Sequence, residues 1–192
     1  MRVGAVVRLQ PVTLDLPAMK SLLAFLIFVA QFVTPAFAAP MPAKDVAEIN
    51  KVIDDSNAAF MRSDAVTIAD DTSDRLMQAV GGRDKYVESI QAGMKSTQAQ
   101  GIKVVSHTAE TPTPPIKAGE FIIAVVKEVT VMTSHGRQLR NDGFTVVVRR
   151  AAGGPWKLIG GSGVAQNPGV IAMLYPGFPA DYKFPPYTTT PL

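Results

Sequence analysis

The sequence predicts an α+β domain, with helices first and a curved antiparallel sheet after them. Two observations carry this. Apolar residues recur at helical intervals from Val46 to Met94, and after Gly101 the period changes to two, in strands that succeed one another as consecutive hairpins.

The elements follow in order. Val46, Ile49, Ile53 and Phe60 form an apolar stripe, so residues 44–62 should be a long helix, with Asp45 and Glu48 in capping-box spacing at its start. Asn50 and Asn57 fall on or beside the stripe, where they face water or line a cavity. The acid-rich stretch 64–74 reads as a short helix plus a loop, and Leu76 to Val80 as a short strand. Gly81-Gly82 is a turn, and Asp84 can cap a helix that buries Val87, Ile90 and Met94 and stops at Gly101. Tyr86 lies near the start of that helix.

Ile102 to Thr108 is the first strand of the sheet. Pro112, Pro114 and Pro115 interrupt it, because proline cannot donate to a ladder. Phe121 to Thr133 is a long strand, Ser134 to Gly143 a polar connection rich in turn formers, and Phe144 to Arg150 the next strand. Ala152-Gly153-Gly154-Pro155 turns the chain into a last strand opened by Trp156. Residues 166–192 hold six prolines, with Tyr175, Phe178, Tyr182, Phe184 and Tyr187 between them. That density excludes regular helix or central strand, and leaves the tail either docked on its own domain or a partner, or loosely attached.

The first 38 residues carry an address. Lys20, the nine-residue apolar run Leu22–Ala30 and the triplet Ala36-Phe37-Ala38 have the order of a secretory signal peptide, residues 19–38. The run is short of the roughly 20 residues that span a bilayer. Residues 1–18 precede an internal Met19 and read as an extension without a fold. The expected location is periplasmic or secreted, with no stable membrane insertion after cleavage. The net charge of +3 comes from 19 basic and 16 acidic residues; without Arg2, Arg8, Lys20 and Asp15 these become 16 and 15. Such a balance gives no clustered basic face for nucleic acid. The absence of cysteine removes thiol catalysis and thiolate metal sites.

The long-helix stripe Val46 to Phe60, the Gly81-Gly82 lead into the helix holding Tyr86, and the closing hairpin of Phe144-Thr145-Val146-Val147-Val148-Arg149, Gly153-Gly154 and Trp156 together resemble the nuclear transport factor 2-like superfamily. The resemblance covers residues 44–164, giving a domain at 39–164 and a tail at 165–192. It implies a cone: helices packed in a strongly bent sheet, with a pocket at the open end. It does not imply an activity, since the superfamily holds both enzymes and binding modules.

Any activity therefore depends on the chemistry of individual residues. His107 and His135 are the side chains that titrate near neutral pH without help. His107 sits in a strand pattern facing with Val105 and is the one candidate base; His135, beside Gly136, reads as a turn residue. Two distant histidines give no zinc set, and Asp70, Asp71 and Asp74 lack the order of a calcium loop. Gly160-Gly161-Ser162-Gly163 opens no helix and carries no phosphate-binding lysine. Arg137, Arg140, Arg149 and Arg150 gather near one end of a hairpin or lie along a solvated sheet edge. No cofactor is expected. The function expected is binding of a small apolar ligand or a protein partner, in a pocket lined by Asn57, Tyr86, His107 and Trp156. The alternatives are an acid/base isomerase or dehydratase using His107, and a homodimer formed through the sheet face.

Overall fold

The structure is a computed structural model that describes residues 39–192; the expected leader at 19–38 and the segment 1–18 lie outside the described residues. Four helices come first: α1 (Ala43–Met61), α2 (Ala65–Asp71), α3 (Asp74–Ala79) and α4 (Arg83–Ala99). Strands β1 (Lys103–Ala109), β2 (Ile116–Ala118), β3 (Phe121–Ser134), β4 (Arg137–Arg150) and β5 (Lys157–Gly160) follow, then α5 (Gly161–Gln166), α6 (Val170–Leu174) and β6 (Thr188–Pro191). The six strands pair antiparallel in one sheet, so the class is α+β. No helix among the described residues is long and apolar enough to cross a membrane.

β3 and β4 are the spine, paired without a break from Phe121↔Arg150 to Ser134↔Arg137. β1 and β2 pair with the free side of β3, and β5 and β6 with that of β4. Alternation along the spine divides the core in two. Ala124, Val126 and Val147 pack under α1 with Met41, Ile49, Ile53 and Trp156. Ile123, Val125, Phe144, Val146 and Val148 face the other way, against α5, α6, Tyr175 and Phe178.

α1 is fixed to the spine by charge as well as by its stripe. It starts at Ala43 after Pro42, with no side-chain cap. Asp45, expected to cap, instead holds Arg149 of β4: Nη1 lies 2.7 Å from Oδ1, and Nη2 donates to Oδ2 at 2.8 Å. A two-pronged charged contact outweighs one capping bond. The same guanidinium lies 4.7 Å over the Trp156 ring.

Five other expectations are corrected. Leu76–Val80 is not a strand but most of α3, which the Ser73 hydroxyl caps by accepting from Leu76 N at 3.4 Å. Asp84 does not cap α4; it stands in the first turn behind Gly82, whose φ of 104° only glycine takes easily. The connection expected over 134–143 is a tight turn at His135-Gly136, and β4 already runs from Arg137. The glycine run does open a helix, α5, and its first residue must be glycine, because a Cβ on Gly161 would lie 1.8 Å from the Phe144 carbonyl oxygen. The four arginines do not gather. Arg137 and Arg149 lie at opposite ends of β4, and Arg140, Arg149 and Arg150 are each paired with a carboxylate, of Asp142, Asp45 and Glu120.

The tail is a built part of the domain, including regular α6 and β6 where prolines excluded them. Pro191 sits in β6 on the outside of β4, where a missing donor costs least. Ile171, Leu174, Tyr175 and Phe178 are buried on the sheet face opposite α1. The Tyr175 hydroxyl meets the buried Ser73 hydroxyl, and Phe184 stacks on Phe144 at 5.4 Å between centroids.

Candidate functional site

His107 reaches its place through an irregularity in β1. Val104 pairs with Met132 and Ser106 with Val131, so Val105 is an extra residue, a β-bulge. A bulge shifts the alternation of its strand. Val105 is 57% exposed, while His107 turns inward with Val104 toward α1. The expectation that His107 shares the face of Val105 fails for that reason.

α1 supplies the other half of the site. Asn57 Nδ2 lies 3.0 Å from His107 Nδ1 and 3.2 Å from Nε2, and Glu128 Oε2 of β3 lies 3.7 Å from Nε2. The His107 and Glu128 side chains are 13% and 17% exposed. The Asn57 amide thus lies against the ring near both nitrogens, and Glu128 faces Nε2 at a distance longer than a hydrogen bond.

Above this group is a recess of about 310 Å³, lined by Asn57, Phe60, Met61, Val104, His107 and Thr130 among others. It adjoins two more, of about 350 and 330 Å³, and Phe60 lines all three. Phe60, the last residue of the helical stripe, was expected in the core but is 37% exposed. The cause is the spacing of the elements. On α4 only Met94 is fully buried, so the end of α1 stands between β1 and α4 without being closed over. A recess of about 440 Å³ elsewhere is larger, but its Arg75 and Arg150 both turn to Glu120.

Of the four expected ligand-binding residues, the fold brings Asn57 and His107 together. Tyr86 is half-buried, its hydroxyl 3.3 Å from Thr72 Oγ1, and is not among the residues lining the 310 Å³ recess. Trp156 is core beneath Arg149 and lines a separate hollow with Lys51 and Asp71. Glu128 and Thr130 were missed. Their signal was parity: in the run Phe121–Thr133 both share the side of Ala124 and Val126, which face α1. Among the described residues no three His, Asp or Glu side chains converge as a metal site.

Asp71 is the strained carboxylate of the domain. Burial pushes its pKa up, Lys157 opposes the shift, and Asp55 and Asp70 add to it. Its Oδ2 is buried without a partner.

No protein-family model matches the chain, and a search of curated proteins returns no match.

Proposed function

We propose that this is an exported, cone-shaped domain of the nuclear transport factor 2-like kind that binds a small, mostly apolar ligand and carries out no reaction on it. The ligand lies in the recess between α1 and β1, its apolar body against Phe60, Met61 and Val104 and its polar end at Asn57 and His107. Pockets of this size with apolar walls and few polar groups are the usual form of small-molecule sites. Export rests on the pattern from Lys20 to Ala38.

The observation that favours binding over catalysis is the crowding of the His107 ring nitrogens by Asn57 and Glu128. A general base needs a nitrogen free to reach a substrate proton. Here Asn57 lies near both nitrogens and Glu128 faces Nε2. The His107–Glu128 pair is also what favours the second reading, acid/base catalysis, because a third group beside the ring can orient a base. Titration with 2-naphthalenemethanol, a neutral apolar probe, tests the proposal by calorimetry. Asn57→Ala and His107→Ala should each weaken binding about three- to tenfold at unchanged fold. Equal affinity in both variants would place the ligand elsewhere.

A further inference from the structure

The last residues of the chain reach the face of the sheet that carries this site. Residues paired across an antiparallel ladder point to the same side. His107, Thr130 and Asn141 are paired in one row, and Ala109, Glu128 and Gly143 in the next, all on the α1 side. At Gly143 a Cβ would lie 2.8 Å from Tyr187 Cε2 and 3.1 Å from Cδ2, so the Tyr187 ring takes the space of the missing side chain. β6 brings it there: Asn141, buried in β4, donates from Nδ2 to Thr189 Oγ1 at 2.9 Å and to the Thr188 carbonyl at 3.4 Å. Burial pushes the Tyr187 pKa up, the contact with Asn141 opposes the shift, and the nearby Glu128 carboxylate adds to it. Tyr187 is still 42% exposed, so a ligand can touch it.

We infer that Tyr187 is a ligand-binding residue of the α1–β1 site, delivered across the sheet by the C-terminal strand, and that the ligand carries a neutral hydroxyl rather than a charged group. This rests on the binding site proposed above. From His107 and Thr130, which line the recess, the same sheet face continues to Asn141 in one row and to Glu128 and Gly143, with Tyr187 against it, in the next, a set that both donates and accepts hydrogen bonds. Lysine and arginine do not line the 310 Å³ recess, while Asp54 lines it and Glu128 stands 3.7 Å from the His107 ring. A carboxylate ligand would meet repulsion without a cation to answer it. A neutral hydroxyl can donate to Glu128 or Thr130 and accept from Tyr187 without displacing the contact between Glu128 and His107.

The test uses the full chain and three probes of one shape: 2-naphthalenemethanol, 2-naphthylmethylamine and 2-naphthoate. The alcohol should bind tightest and the naphthoate weakest by at least about tenfold. Tyr187→Phe, which keeps the ring, should weaken the alcohol about three- to tenfold. Gly143→Ala, which puts a methyl group where the ring lies, should do the same with residue 187 untouched. Equal affinity for the three probes, or alcohol binding unaffected by Tyr187→Phe, overturns the inference even where Asn57→Ala and His107→Ala still weaken binding. If those two variants also bind as the parent does, the proposed site itself falls.

Discussion

Arg149 shows how one side chain can carry two jobs. It neutralises Asp45 at the start of α1 and covers the Trp156 ring, and both partners are buried. Removing one member of such a pair leaves an uncompensated charge out of water. Arg149→Ala should therefore cost about 3 kcal/mol in urea unfolding, and Asp45→Asn added to it should recover part of that loss. Asp71 gives the opposite case. Its folded pKa is raised above the usual 3.8, so its ionised form costs stability, a cost absent below that value and growing as pH rises through the folded pKa. Asp71→Asn should raise the melting temperature at neutral pH, and thermal scans should show the gain vanish below about pH 4.

At the scale of elements, what was legible in the sequence was what periodicity controls. The stripe of α1, the left-handed stop at Gly101 and the apolar half of the β3–β4 hairpin follow from residue types within reach of one another. What was not legible came from partners distant in the chain. Asn141, Asp142 and Gly143 have the composition of a turn, yet lie in mid-strand because Tyr187 needs the space at Gly143 and β6 needs the amide of Asn141. The bulge at Val105 has no local signal either, and it decides whether His107 belongs to the site. Gly161 is the sharpest such case, pressed on the backbone of β4. Gly161→Ala should destabilise the domain by more than about 3 kcal/mol, measured by chemical denaturation, because the obstructing atom is backbone and cannot turn aside.

At the scale of the molecule, the sheet is covered on both faces by one chain, with α1 on one side and the tail on the other. The tail, which the sequence left open, is thus structural. Burying Ile171, Leu174, Tyr175 and Phe178 contributes about 6–12 kcal/mol at about 1.5–3 kcal/mol each, comparable with the whole stability of a domain. Deleting residues 166–192 should leave a chain that unfolds or associates, visible as loss of a cooperative transition or a rise in mass by light scattering. A truncated chain that stays a stable monomer would deny the tail that role. The same wrapping covers the sheet face opposite α1, and the chain then brings Tyr187 against Gly143. Mapping 2-naphthalenemethanol by amide chemical-shift perturbation tests whether a ligand binds between α1 and β1. Binding there should give saturable shifts at the end of α1, in β1 about Val104–His107, at Thr130 and at Tyr187, and should need about three- to tenfold more probe in Asn57→Ala. Shifts centred on Arg75 and Tyr175, or none that saturate, would contradict it.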